Sequence, residues 1–227
     1  MDTLRAFSLF EKLSEEQAEK FGRRCRWHDY TAGEMIIDHN DDSNEVRLIQ
    51  SGEVRVVVRM LEGREVILND HGPGTFFGEL AAIDGQARSA NVTALTNTRM
   101  CIVPAAVFKE IALEVPEVAW NVMSKLTALV RSLSDRLSEF TFLQAKHRIF
   151  SELLRMSKER KGHEGHRIIS PPPIQKDIAD RISSRREVVS REMKTLERDG
   201  ILEKTRGGLV IVDVDELKRR ASEGWTQ

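Results

Sequence analysis

The 227-residue sequence predicts an α+β protein in three parts: a jelly-roll-like β-roll over 1–115, a long helix over 116–144, and a compact helical domain with a β-hairpin over 145–227. Three observations predict this. Between Trp27 and Val103 short apolar runs alternate with turn signals, the pattern of many short strands closed into a roll or two sheets. Beyond Pro116 apolar residues recur at steps of 3, 4, 3, 4 and 3, the seam of a coiled-coil helix. Beyond Pro173 two helical segments flank a tight turn and lead into an alternating stretch around Gly207-Gly208.

The elements follow in order. Leu4–Phe21 has helical spacing, with Ser14-Glu15-Glu16-Gln17 as a helix start. Turns are expected at Ala32-Gly33-Glu34, Asn40-Asp41-Asp42, Gln50-Ser51-Gly52, Glu62-Gly63, Asn69-Asp70 and Gly72-Pro73-Gly74. Glu45–Ile49, Val54–Arg59 and Glu65–Leu68 fit between them as strands. Pro104–Val115 reads as a short helix, and Pro116 restarts the chain. The seam of the long helix is Met123, Leu126, Val130, Leu133, Leu137 and Phe140, with Lys125, Arg131, Asp135 and Arg136 off it. That division favours a helix paired with a second copy of itself. Lys146–Lys161 is helical, Gly162–Gly165 is a loop, and Pro171-Pro172-Pro173 ends an extended segment and prepares the next helix.

Composition excludes several classes. Apolar residues are 40% and charged residues 31%, ordinary for a soluble chain. Met1–Phe10 carries Asp2 and Arg5 and lacks the apolar run of a signal peptide, and no stretch reaches membrane-span length. Cys25 and Cys101 have neither metal nor disulfide-framework spacing, so a cytoplasmic location is expected. His163 and His166 lack the carboxylate or cysteine partners of a metal site, and His28, His39 and His71 are scattered, so neither a metal nor an enzyme is expected. The net charge of −1 hides an asymmetry: residues 145–227 carry 19 Lys/Arg against 14 Asp/Glu, the balance of a polyanion-binding module.

The densest chemistry lies in Phe77-Gly78-Glu79-Leu80, followed nine residues after Glu79 by Arg88-Ser89-Ala90. A carboxylate at Glu79 suits a ribose hydroxyl, and the guanidinium of Arg88 suits a phosphodiester. Gly78 lets a ligand approach the backbone, and the amides opening a short helix at Glu79–Ile83 favour an anion. Together these groups describe a pocket for a cyclic nucleotide monophosphate.

The second constellation is Ile174–Arg181, a turn at Ile182-Ser183, and a helix from Ser184 to Leu196 capped by Ser184. Ile178, Val189, Met193 and Leu196 can pack the two helices together. Ser184, Arg185, Arg186, Glu187, Ser190 and Arg191 then cluster near the second helix's start, the spacing of a DNA-reading helix-turn-helix. Arginine can hold guanine N7 and O6, and glutamate can accept from cytosine N4. Gly200–Val212 reads as a hairpin wing.

Cassette, long helix and winged helix in this order resemble the catabolite activator / fumarate-nitrate regulator family over almost the whole chain. The resemblance implies that Glu79 binds the ribose 2′-hydroxyl with Gly78 and Leu80 beside it, and that Arg88 and Ser89 bind the cyclic phosphate. It implies that Leu133 and Ser134, where the family carries adjacent hydroxyls, face the base. Keeping Ser134 alone points to a pocket open to cyclic AMP and cyclic GMP, because a hydroxyl can donate or accept. It implies that Arg186, Glu187 and Arg191 read a TGTGA-like half-site of double-stranded operator DNA, as a homodimer working with RNA polymerase. The cassette is one residue shorter than in the enteric activators and closer to that of kinase regulatory domains. Two rivals remain: a regulator of the same fold indifferent to nucleotides, and a metal-dependent β-barrel enzyme. The joint presence of Glu79, Arg88 and Ser89 weighs against the first, and the scattered histidines against the second.

Overall fold

A computed structural model describes residues 3–59 and 65–225. The expected turn at Glu62-Gly63 lies outside them. The chain divides into two compact units, Met1–Val130 and Arg131–Gln227.

The first unit opens with two 3-10 turns, Leu4–Ala6 and Ser8–Phe10, and then α1 (Glu15–Gly22). Ser14 caps α1 in a two-way box with Gln17, as its sequence suggests. The residues before it are not a continuation of the helix. They turn tightly so that Leu4, Phe7, Leu9 and Phe10 all enter the core.

Among the described residues eight strands follow: β1 (Arg26–Tyr30), β2 (Met35–Ile37), β3 (Val46–Ser51), β4 (Val54–Arg59), β5 (Glu65–His71), β6 (Phe76–Phe77), β7 (Asn91–Ala94) and β8 (Thr98–Val103). They form two antiparallel sheets, ordered β1-β8-β3-β6 and β2-β7-β4-β5. Alternation sorts the side chains. Ile49, Phe77 and Met100 of the first sheet meet Ile37, Val54, Val92 and Ala94 of the second inside the roll. Val46, Leu48, Phe76, Cys101 and Val103 point the other way, into a second core with α1, α3 (Ala105–Glu114) and the start of α4 (Pro116–Phe142). α2 (Glu79–Asp84) lies between β6 and β7 in the chain. One expected turn is corrected: Asn69 and Asp70 lie within β5, where the Asp70 carboxylate accepts from the cross-strand Arg55 at 2.8 and 3.0 Å.

The second unit contains the end of α4, then α5 (Ala145–Met156), β9 (Lys158–Glu159), β10 (Arg167–Ile169), α6 (Gln175–Arg181), α7 (Arg186–Arg198), β11 (Leu202–Thr205), β12 (Gly208–Ile211) and α8 (Val214–Ser222). The helix expected through Lys161 stops at Met156, because Lys158 and Glu159 pair with β10. The sheet order is β11-β12-β10-β9, and β11–β12 is the expected hairpin. One core unites Ile149, Leu153, Ile178, Val189, Met193, Leu196, Leu209, Ile211 and Leu217. α8 has no counterpart in the sequence reading, although Asp213 caps it and Glu216 pairs with Arg219 and Arg220 one turn on.

Candidate functional sites

Phe77 anchors the cassette in the roll interior, and Gly78 then turns the chain with φ of +84°. A Cβ there would lie 2.6 Å from Nη1 of Arg88 and 2.9 Å from the Glu45 carbonyl, so only glycine fits. The turn starts α2 and buries Glu79 at 5% exposure. Arg88 is 3% exposed. Its Nε donates to Ser43 Oγ at 3.0 Å, Nη1 to the Gly78 carbonyl at 3.0 Å and Nη2 to the Glu45 carbonyl at 2.9 Å. The Glu45 carboxylate lies 3.5 Å from Nη2. Of the five N–H groups of a guanidinium, three are thus fixed by the fold, which aims the fork before any ligand arrives. Burial pushes the Arg88 pKa down, Arg47 beside it adds to this, and Glu45 opposes it. Leu80 and Ser89 are exposed.

The sequence reading missed three neighbours. Lys125 of α4 sits with its ammonium 3.6 Å from Glu79 Oε1, donates to the Phe76 carbonyl, and lies 3.6 Å above the Phe76 ring. Burial lowers its pKa and Glu79 opposes this. His71 stacks on Phe77 with ring centres 6.3 Å apart. Burial, with the Lys125 charge second, pushes its pKa down to about 4, so it is neutral near pH 7. Arg47 is the third.

Leu133 and Ser134 lie in the part of α4 that belongs to the second unit, and both are exposed. Met123 and Val130 in the first unit and Leu133, Leu137 and Phe140 in the second are also exposed. Leu126 differs from the rest of the seam, being half-buried against the first unit's core.

In the second unit Arg186, Glu187, Ser190 and Arg191 share one surface with Gln175 and Lys194, around an open hollow of about 470 Å³. Lys194 is three and four residues beyond Arg191 and Ser190, a spacing that places it on their face. Ser184 is not the cap. The helix begins at Arg186, Arg185 is the exposed N-cap residue, and the Ser184 amide donates instead to the Ala179 carbonyl at 2.9 Å. The turn, with Ser183 at φ of +48°, runs on through Ser184, whose amide is held by the end of the preceding helix. No group of three or more metal-ligating side chains occurs among the described residues, and no described helix is long and apolar enough to cross a membrane.

Comparison with known proteins agrees with this division. Residues 27–114 match the cyclic nucleotide-binding domain family, and residues 147–220 match the Crp-like helix-turn-helix domain family. The CRP-like cAMP-activated global transcriptional regulator of Mycobacterium tuberculosis is 24% identical over 214 residues, covering 94% of this chain and 96% of its own. A solved CooA variant from Carboxydothermus hydrogenoformans superposes with a TM-score of 0.80 at 21% identity, covering 97% of this chain and 98% of its own. The c-di-GMP-responsive regulator CLP of Xanthomonas campestris gives a TM-score of 0.71 at 20% identity, covering 88% and 99%. With a cyclic nucleotide-binding domain followed by a Crp-like helix-turn-helix DNA-binding domain, the chain belongs to the CRP/FNR family of transcription regulators.

Proposed function

We propose that the protein is a homodimeric regulator that binds cyclic AMP, and also cyclic GMP, and then binds a palindromic TGTGA-like operator to control transcription with RNA polymerase. Residues 1–115 act as the sensor, 116–144 as the dimer helix and 145–227 as the DNA reader. The observation that carries the reading is the buried pair of Glu79 and Arg88, oriented by Gly78, at the end of an apolar roll. The carboxylate accepts from a ribose hydroxyl and the remaining guanidinium donors hold a cyclic phosphate. Lys125 suggests how binding is transmitted. A ribose hydroxyl at Glu79 competes with an ammonium carried on the long helix, so ligand and helix position are coupled. Operator binding then tightens nucleotide binding by the same factor.

Base choice is assigned to Ser134, whose hydroxyl serves either purine, with Leu133 adding no polar contact. The reading helix is α7, with Arg186, Glu187, Ser190 and Arg191 toward base edges and phosphates. The test is calorimetric titration with cyclic AMP, cyclic GMP and cyclic di-GMP, with and without palindromic DNA. Saturable binding of the two mononucleotides, within a thousandfold of each other and strengthened by operator, is expected. Binding of cyclic di-GMP alone, or of none, rejects the reading.

A further inference from the structure

Arg47 is the most anomalous charged residue in the first unit. It lies on β3 opposite Phe77 of β6 and Ile102 of β8, so it shares the inward face with Ile49 and Phe77 rather than the helix-facing side of Val46 and Leu48. It is 7% exposed. Its Nε and Nη1 have no hydrogen-bond partner among the described residues. Its only described ion pair is Nη2 with Glu45 Oε2, at 3.8 Å. That carboxylate is already shared with Arg88 at 3.5 Å and with the exposed Arg26 at 3.4 Å.

Two buried guanidiniums therefore lean on one carboxylate. Burying a guanidinium with unmade hydrogen bonds is costly, and such a group in a folded protein calls for a partner the fold does not itself supply. The missing partner is an anion with acceptor oxygens. It must lie within reach of Arg88, because both guanidiniums lie within 4 Å of the same Glu45 carboxylate oxygen, at 3.8 and 3.5 Å.

We propose that Arg47 is a second phosphate-binding arginine of the pocket, its Nε and Nη1 donating to one exocyclic oxygen of the cyclic phosphate while Arg88 holds the other. This rests on the cyclic-nucleotide reading above. Glu45 then neutralises one guanidinium and the phosphate the other. Arg47 sets how tightly, and through which oxygen, the phosphate is held.

The test uses the full-length protein, cyclic AMP and its two phosphorothioate diastereomers, in which sulfur replaces one or the other exocyclic oxygen. Sulfur is the poorer acceptor, so the parent should disfavour the form carrying sulfur toward Arg47. Arg47→Met should lose roughly ten- to a hundredfold in cyclic AMP affinity, and its preference between diastereomers should shift by about tenfold from the parent's. Without ligand the variant should melt at or above the parent temperature, because an uncompensated buried charge has gone. A merely structural Arg47 predicts the reverse: a lower melting temperature and an unchanged diastereomer preference. Parent affinity and preference in Arg47→Met overturn the proposal. Should that variant fail to fold, Arg47→Lys, which keeps the charge but not the fork, must show the same shift in preference. A parent protein that binds no cyclic nucleotide overturns the underlying reading as well, and the parent titration alone identifies that case.

Discussion

Arg88 and Arg191 are the same side chain in opposite settings. Arg88 is 3% exposed and held at three of its nitrogens by Ser43, Gly78 and Glu45. The side chain of Arg191 is 72% exposed and meets the neighbouring Glu192 at 3.3 Å. The first is oriented by the fold, so its desolvation and ordering costs are met on folding and a ligand need not meet them again. In the proposed function the second is oriented by DNA, so it orders on binding and its charge acts through water and salt until then. For the proposed sensor pocket the first arrangement is an advantage, because it must hold a small phosphate anion in one orientation. A groove reader benefits from the second, because long mobile cations find phosphates quickly and base edges afterwards.

The largest expected effect follows from that contrast. Arg88→Ala removes a buried fork and leaves Glu45 and the Gly78 carbonyl without it. Charged hydrogen bonds contribute about 1.5–3 kcal/mol each, so two to phosphate correspond to a loss of roughly a hundredfold or more. Calorimetry checks this. The parent's nucleotide affinity should change little between roughly 50 and 200 mM salt, while its operator affinity falls by a factor of about a thousand or more if six or more phosphates are contacted. Equal salt sensitivity in the two measurements would erase the contrast.

A third class of group is exposed and apolar. Leu137 is 68% exposed on α4 in the single chain, with Leu133 and Phe140 exposed beside it in sequence. Leu137→Asp should turn the proposed dimer into monomers with weak operator binding, because the proposed pairing would bury a carboxylate at the seam. Sedimentation measures this. Leu126→Asp is the poorer probe, since Leu126 packs on the first unit's core and the variant would unfold part of that unit.

Next in size is Arg191→Ala. It should relax discrimination at one base pair per half-site by about 1–3 kcal/mol. Lys194→Ala, if Lys194 meets phosphate, should weaken all sequences alike and reduce the salt slope by about one. A panel of operator variants at several salt concentrations separates the two, and an exchange of these phenotypes would reverse the assignments.

What could be read from sequence, and what could not, follows the same division. Gly78, Glu79 and Arg88 were legible because a carboxylate, a fork and an obligatory glycine stand at fixed spacing. The helix-turn-helix was legible because its apolar positions and its polar ones each have the helical period and fall on opposite faces. Arg47 was not, because a charged residue alternating with Val46 and Leu48 reads as the wet face of a strand, and nothing in the alternation says that both faces of β3 are covered. Lys125 was hidden likewise: off an apolar seam, a lysine reads as solvated, yet this one reaches Glu79 and the Phe76 carbonyl. The failed cap at Ser184 is a boundary error: Ser184 still belongs to the turn, and the helix starts at Arg186.

The interior of the first unit should also respond to pH, through His71. The pKa of His71 falls from 6.5 to about 4 on folding, chiefly through burial. The unfolded chain therefore binds more protons between these values, and stability falls as pH drops from about 6.5 toward 4. His71→Gln should flatten this part of a stability–pH curve measured by urea unfolding. An unchanged slope would assign the acid sensitivity to other groups.

The smallest effect compares two residues with the same backbone. Gly78 and Ser183 both have positive φ, +84° and +48°. At Gly78 a side chain has no room, since a Cβ would meet Arg88 Nη1 at 2.6 Å. Ser183 is exposed at the turn between α6 and α7, so its side chain clashes only with its own backbone. A serine in the left-handed region costs roughly 1–2 kcal/mol. Glycine would remove that cost and return about 0.5–1 kcal/mol through a freer unfolded chain. Ser183→Gly should therefore gain up to about 1 kcal/mol, a rise of several degrees in melting temperature for a domain of this size. Its operator preference should not change, because Ser183 does not line the hollow of Arg186, Glu187 and Arg191. Gly78→Ala should do the opposite, lowering stability and nucleotide affinity together, because Arg88 must move to admit the methyl group. If Ser183→Gly instead melts lower or reads a different half-site, the turn is fixing the angle of α7, and the serine is part of the reading surface after all.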